Sequence, residues 1–487
     1  MTVSFPKQIE STTDTASLEK YGRDWNKEFT PKPSRIVFPK TTQDVVTLVR
    51  WARATRTALV PSGGRTGLSA GATAIRGEVV VSFEKMARVL ELNPVEMTIT
   101  AEPGAILETL QERSADAGMI FPLDLGARGS CQLGGNIATN AGGLHVVHLG
   151  MLRSWVRDLE VVTGTGEILH LGHRLTKNNS GYDLKELMIG SEGTLGFITQ
   201  ATIQLKRKPA GLETLFASGS DLGKIMEVFS ALRRRHELWA FELMPRRALE
   251  RASHHTGIEA PLGLERAYYF VASVEGLPEA VLEEALSSGA LDDATMAQSS
   301  EQSRSFWRLR EEIPEALGRG VLHKNDIAVR TSLVPELVRA LEAMMDRYSG
   351  RCEIYWFGHL GDGNIHVNLL KSDATAADTF RGLCAEFDKE LFALVRTQGG
   401  TISAEHGIGL LKKPFLTYTR SEAEIEVMRG IKRLFDPDGI INPGKVFDQK
   451  SNGTRTKSGR PSKVLKQAGR VRSKQKTKTK SKRSRGR

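Results

Sequence analysis

The sequence predicts an α+β protein of two domains, with antiparallel sheet in the second and a separate basic tail at the end. Three observations carry this. The chain has 487 residues, 40% of them hydrophobic, which is long and apolar enough for two or three domains with their own cores. Short β-rich runs and amphipathic helical runs are interleaved along the first 435 residues. The character of the sequence changes near residue 210 and again near residue 450. The net charge of +11 belongs to the second change. Residues 450–487 hold 16 Lys and Arg and no Asp or Glu, so the rest of the chain carries −5.

Residues 1–33 are polar and read as helix plus loop, ending in PKPS. Residues 34–210 form the first domain. Its strands are EVVVSF, MTITAEPGA, LEVVTGTGEILHL and GFITQATIQL, and VVTLVRWARA and ILETLQERSADAG show helical spacing between them. Residues 211–435 form the second. GKIMEVFSALRRRHEL, AVLEEALSSGA, PELVRALEAMMDRYSG, ADTFRGLCAEFDKELFALVRTQGG and AEIEVMRGIKRLFDP read as helices, and AYYFVASVEG, IAVRTSLV and EIYWFGHL as strands. A short segment, 436–449, closes the ordered chain. The tail, 450–487, has too few apolar residues to offset chain entropy and is expected to be disordered. It is either a weak contact for nucleic acid or an anionic membrane, or a solvated extension.

No run of 18 apolar residues occurs, so no spanning helix is expected. The start, MTVSFPKQIESTTD, lacks the basic and apolar regions of a secretory signal. Cys131, Cys352 and Cys384 are far apart and form no CxxC, which argues against an iron–sulfur cluster or zinc ribbon and suits a reducing compartment. The expected location is the cytoplasm, with attachment to the periphery of the inner membrane as the other option.

The first domain carries three glycine loops: PSGGRTGLSAG (61–71), GSCQLGGNIATNAGG (129–143) and GSEGTLGFIT (190–199). Consecutive glycines admit positive φ and let backbone N–H groups approach an anion. None is a P-loop, and none is a GxGxxG joining strand to helix. Singly, each is equally an ordinary tight turn. Three in one domain favour a large cofactor with a pyrophosphate.

In the second domain HLGDGNIH (359–366) places two histidines around a Gly-Asp-Gly-Asn turn. In an uninterrupted strand residues seven apart face opposite ways. The turn folds the chain back, so His359 and His366 can share one side of a hairpin tip. SAEHGIG (403–409) offers Glu405, next to His406, and two imidazoles plus a carboxylate make an open three-ligand site. Taken alone, each histidine is as readily a packed strand-end residue, and Asp362 a turn residue.

The order of the three loops, with FPLD before the second and NNSGYDLKELMI before the third, resembles the PCMH-type FAD-binding domain of the vanillyl-alcohol oxidase / p-cresol methylhydroxylase flavoprotein superfamily. Over residues 34–447 the chain resembles its branch of FAD-linked D-2-hydroxyacid dehydrogenases, which includes D-lactate dehydrogenase, D-2-hydroxyglutarate dehydrogenase and the flavin subunit of glycolate oxidase. The resemblance implies a two-subdomain FAD-binding domain followed by an α+β substrate, or cap, domain with antiparallel sheet. It implies that Pro61, Ser62, Gly63, Gly64, Arg65, Thr66 and Gly67 hold the FAD pyrophosphate. Gly135, Asn136, Thr139 and Asn140, with Pro122 and Gly142, would line the flavin, Glu192 and Ile198 would lie near the adenosine, and Asn442 of INPGK would return to the flavin. Arg65 stands where relatives with covalent flavin carry histidine, so the FAD is expected to be non-covalent. Cys131 is expected to be structural.

The resemblance also assigns the second domain. His359, His366 and Glu405 match ligands of a divalent metal, with Zn²⁺ suited best and Mn²⁺ or Fe²⁺ also fitting. His406 matches the catalytic base. Arg310 of FWRLREEIPEAL matches a carboxylate clamp that also serves catalysis, whereas Arg308 reads as an exposed helix arginine. Lys324 and Asn368 match substrate contacts. Pro314 stands where 2-hydroxyglutarate relatives carry threonine, which weakens that substrate and leaves D-lactate or another D-2-hydroxy acid open. The expected function is oxidation of a D-2-hydroxy acid to the 2-oxoacid by hydride transfer to flavin N5, with electrons passed to a quinone, an electron-transfer flavoprotein or a cytochrome. The sequence leaves the oligomeric state open, with a homodimer as one option. The rival within the class is the flavin subunit of a glycolate oxidase complex. The rival outside it is a nucleic-acid-associated protein acting through the tail.

Overall fold

The computed structural model describes residues 3–449 except Arg319 and Ala374. The basic tail, with the disorder and the partners expected of it, lies outside the described residues. Among the described residues no helix is long and apolar enough to cross a membrane.

The first part builds two sheets. One runs β1 (Glu10–Thr12), β2 (Arg35–Phe38), β4 (Val79–Ser82), β3 (Leu59–Ser62), with β1 antiparallel and the other three parallel. The N-terminal segment, expected as helix and loop, thus also supplies an edge strand. Helix Thr42–Thr55 connects β2 to β3, and its start is fixed by a reciprocal capping box between Thr41 and Asp44. Val45, Leu48, Val49 and Ala52 lie on its buried face. The other sheet is antiparallel, in the order β5 (Val89–Asn93), β6 (Thr98–Ala101), β10 (Gly196–Gln204), β8 (Val156–Thr163), β9 (Ile168–Leu171). Two short strands, β7 (Met119–Ile120) and β11 (Lys206–Arg207), pair with each other.

The second part is one antiparallel sheet of seven strands. Its order is β15 (Asp293–Met296), β12 (Glu213–Gly219), β14 (Tyr268–Glu275), β13 (Glu237–Pro245), β17 (Glu353–His359), β18 (Asn364–Leu370), β16 (Leu322–Ala328). The period of two gives the sheet two faces. Phe241, Leu243, Phe270, Ile365 and Val367 point one way, into a core shared with helices Leu222–Arg235, Val334–Asp346 and Ala377–Thr397. Met244, Tyr269, Tyr355 and Phe357 point the other way, against helices Arg246–Thr256 and Ser300–Glu311. The remainder of that second face is polar and carries the site.

The pattern differs from expectation in further places, β12 and β15 among them. IAVRTSLV is not one strand: β16 ends at Ala328, and Thr331–Leu333 already turn into helix Val334–Asp346, whose first turn accommodates Pro335. β13, from ELWAFELMP, was not anticipated. Helix Glu422–Phe435, expected to end the second domain, already packs on the first: Ile431 and Phe435 join the core of the β5–β10 sheet, and Lys432 donates to the Thr194 carbonyl at 2.6 Å. The segment after it stays there, with Asn442 N–H donating to the Leu59 carbonyl at 2.7 Å.

Candidate active site

The three glycine loops meet around one cavity of about 1080 Å³, mouth included. Residues Pro61 to Gly67 form one wall, Gly135, Asn136 and Thr139 another, and Glu192 and Ile198 a third. The glycines of the first loop serve close approach rather than positive φ. A Cβ on Gly64 would lie 2.1 Å from the Ser130 carbonyl oxygen, and the left-handed residues of that loop are Arg65 and Ala70, at φ 61° and 59°. Arg65 stacks on Tyr21 at 4.5 Å and lines the cavity. The buried Ser62 Oγ and Gln132 Oε1, both on residues of the wall, have no hydrogen-bond partner among the described residues. Such orphaned polar atoms call for a polar ligand, and a glycine-lined cleft of this size fits FAD.

Four expected cofactor residues do not line the cavity. Asn140 spends its side-chain oxygen on Arg153 N–H at 2.9 Å. Gly142 packs against Met151. Pro122 is buried between the core residues Phe121 and Leu123. Asn442 stands behind the wall, donating to the carbonyls of Gly71 and Glu192 at 3.1 and 2.8 Å. Glu192 does more than line the cavity: its carboxylate accepts from Ile408 and Gly409 N–H, both at 2.7 Å, and so ties the HGIG segment to the wall. Burial raises its carboxyl above the usual range. Cys131 is buried beside Asn136, and burial raises its thiol, which makes it a poor nucleophile.

The polar row on the sheet brings the second set together. Register pairs Glu242 with His359, His359 with Asn364, Phe357 with His366, His366 with Asp326, and Asn368 with Lys324. All of these side chains therefore share one face, and the two histidines are diagonal neighbours across the hairpin. Their rings are 5.1 Å apart at 82°. Glu405 joins them, so that one donor atom from each of His359, His366 and Glu405 lies within 4.8 Å of the others. A two-imidazole, one-carboxylate donor set fits a divalent cation with open positions. His406 stacks beside His366 at 6.3 Å and also lines the glycine-loop cavity, so the polar row and the cavity form one continuous site.

Two carboxylates that sequence reasoning missed organise this row. Asp326, 1% exposed, accepts from the backbone N–H of Glu405 and His406 at 2.9 and 3.2 Å and from Asn364 Nδ2 at 2.8 Å. His406 Nδ1 is 3.5 Å and His366 Nδ1 3.8 Å from its oxygens, and buried Lys412 lies 3.9 Å away. Against its own burial, the charged forms of His406, Lys412 and His366 hold the Asp326 carboxyl well below the usual range. Glu242, also 1% exposed, accepts from His359 Nδ1 at 2.7 Å and pairs with Arg310 at 2.8 Å. The signal was present: one acid inside the apolar run LWAFELM, and one inside KNDIAV, is a buried charge awaiting partners. Burial depresses the imidazolium of His406, opposed by Asp326, so its ring favours the neutral form.

Arg310 is 6% exposed at its side chain and lies over the Phe357 ring at 4.8 Å, while Arg308 is exposed. Nη2 pairs with Glu242 at 2.8 Å, and the buried Nε has no hydrogen-bond partner among the described residues. Lys324 is exposed at the row's far end, and burial of its surroundings lowers its ammonium pKa. Asn368 Nδ2 is buried and also without a partner.

Residues 33–172 match the model of an FAD binding domain, and residues 208–446 that of the C-terminal domain of FAD linked oxidases. The chain is 45% identical over 442 residues to a D-2-hydroxyglutarate dehydrogenase of Stutzerimonas stutzeri, covering 89% of this chain and 95% of the relative. It is 44% identical over 443 residues to one of Xanthomonas citri pv. viticola, covering 90% and 94%. Its fold is that of p-cresol methylhydroxylase, with TM-score 0.73 at 14% identity over 91% of this chain and 95% of the other. The chain belongs to the FAD-linked oxidase family, in its D-2-hydroxyacid dehydrogenase branch, and is an FAD-dependent oxidoreductase acting on a CH–OH group.

Proposed function

We propose that this protein oxidises a D-2-hydroxy acid to the 2-oxoacid, with FAD held non-covalently in the glycine-loop cavity and a divalent cation at His359, His366 and Glu405. The observation that carries the reading is His406, which lines the cavity while standing in the polar row with those three residues. When bound, FAD supplies the hydride acceptor, and the cation, Zn²⁺ or else Mn²⁺ or Fe²⁺, supplies a Lewis acid that lowers the hydroxyl pKa. His406 takes the hydroxyl proton on its imidazole, with Asp326 facing Nδ1 to hold the ring. Arg310 grips the carboxylate through its guanidinium, whose Nε has no hydrogen-bond partner among the described residues. The substrate loses a hydride from the α-carbon and a proton from the hydroxyl, a balanced two-electron oxidation.

Two cations on the row, Arg310 and Lys324, favour a substrate with two carboxylates, and the names of the two relatives above point to D-2-hydroxyglutarate. Pro314 favours a monocarboxylate such as D-lactate instead, since its ring offers no hydroxyl to a distal carboxylate. Turnover of D-2-hydroxyglutarate, D-lactate, D-malate and glycolate with a dye acceptor decides between them. The reading expects one D-acid to give its 2-oxoacid, and Arg310→Ala to raise KM for it. Equal turnover of the L-enantiomer, or no turnover of any acid, would count against it. Electrons leave to an external acceptor; Cys131, Cys352 and Cys384 are free and buried.

A further inference from the structure

We propose that Glu242 is a positioning residue shared by the cation site and the carboxylate clamp. The proposal rests on the reading that His359, His366 and Glu405 hold a divalent cation and that Arg310 takes the substrate carboxylate. Glu242 touches neither ligand. It sits in the middle of β13, 1% exposed, with its two oxygens turned to two different partners. Oε1 accepts from His359 Nδ1 at 2.7 Å, and Oε2 lies 2.8 Å from Arg310 Nη2.

Each contact prepares a different ligand. The bond to Nδ1 puts the His359 proton there and leaves Nε2 with its lone pair free, 3.7 Å from Glu405 Oε1. Metal-binding histidines are oriented this way by a carboxylate on the far nitrogen. The contact to Arg310 neutralises the guanidinium through one nitrogen, Nη2. Phe357 fixes the guanidinium plane at 4.8 Å, and Nε is without a hydrogen-bond partner among the described residues, in a side chain that is 6% exposed. A buried guanidinium beside a dication would otherwise be two uncompensated positive charges in one pocket. One carboxylate therefore serves both ends of a substrate that binds with its hydroxyl at the cation and its carboxylate at the arginine.

The amide isostere separates this role from plain packing. Glutamine has one acceptor and one donor end. In Glu242→Gln the carbonyl can accept from His359 only by turning the NH₂ toward Arg310, donor against donor, and the reverse orientation breaks the His359 bond. It cannot serve both. Glu242→Asp keeps the charge but withdraws it by one methylene.

The test uses the full FAD-loaded chain. Zn²⁺ affinity is read by competition with a chromogenic chelator, and kcat and KM at saturating Zn²⁺ are read on the D-2-hydroxy acid turned over best. Glu242→Gln is expected to weaken Zn²⁺ by about 10–100-fold and to raise KM by about 10-fold or more, with the flavin spectrum unchanged. Arg310→Lys is expected to raise KM alone, and the double variant to raise it by less than the product of the two. Wild-type Zn²⁺ affinity in Glu242→Gln, or an unchanged KM at saturating Zn²⁺, overturns the proposal and leaves the cation reading standing. A wild-type protein that binds no divalent cation overturns both. Should Glu242→Gln not accumulate with FAD, Glu242→Asp decides on the same two constants, and both must move.

Discussion

His406 faces three neighbours that matter to a proton. Nδ1 is 3.5 Å from Asp326, Nε2 is 3.9 Å from Glu405, and its ring borders the cavity. A base placed this way supplies proton transfer and little else. His406→Asn should therefore lower kcat by about 10²–10⁴-fold while flavin binding and Zn²⁺ affinity stay near wild type; equal loss of all three would make it structural. Lys445, of the INPGK segment, is a second telling residue. It is 2% exposed, its Nζ has no hydrogen-bond partner among the described residues, and burial pulls its pKa down to about 8. Its proton is held less tightly folded than unfolded, so unfolding takes up a proton between about pH 8 and the ordinary 10.5. The burial penalty is complete below about pH 8 and is relieved as pH rises through that window. The wild type should gain about 3 kcal/mol relative to Lys445→Met from pH 8 to 10.5. Chemical denaturation at a series of pH values checks the slope, and a flat difference would place the ammonium in contact with water.

At the scale of elements, the hairpin β17–β18 is the device that makes the site. Its tip needs Gly363, at φ +82°, where a Cβ would fall 2.1 Å from the Val329 carbonyl oxygen. Gly363→Ala should cost about 1–3 kcal/mol and weaken Zn²⁺ binding in the same protein, because the turn sets the diagonal between His359 and His366; urea denaturation and the chelator assay measure both. This element was legible in sequence because two histidines bracket a Gly-Asp-Gly-Asn turn. β13 was not. Its run LWAFELM is almost wholly apolar, so periodicity could not separate strand from helix, and with the strand went its one buried acid, Glu242. Asp326 escaped for a related reason: its partners come from residues 364, 405, 406 and 412, and no spacing along the chain announces them.

For the whole molecule, the site depends on two parts of the chain meeting. The glycine loops make the cavity, the seven-stranded sheet makes the polar row, and Glu192 joins them through Ile408 and Gly409. The cavity wall was readable from the loops because close backbone approach leaves glycine in the sequence. Asn140, Gly142 and Asn442 look the same in a motif, yet support the wall from behind, a distinction only side-chain partners reveal. The charge of residues 450–487 sets them apart from this machinery. A chain ending at Gln449 should keep wild-type kcat and KM, and any binding of nucleic acid or anionic vesicles by the full chain should be lost with the tail; lost turnover would tie the tail to catalysis. The central claim is that one site joins flavin, cation and D-2-hydroxy acid. Its most direct test is anaerobic: the flavin spectrum of the purified protein is followed on adding each D- and L-2-hydroxy acid, before and after chelation. The account predicts that one D-acid bleaches the flavin, that chelation abolishes the bleaching, and that Zn²⁺ or Mn²⁺ restores it. Bleaching that survives complete chelation, or a yellow protein that no 2-hydroxy acid bleaches, would contradict it.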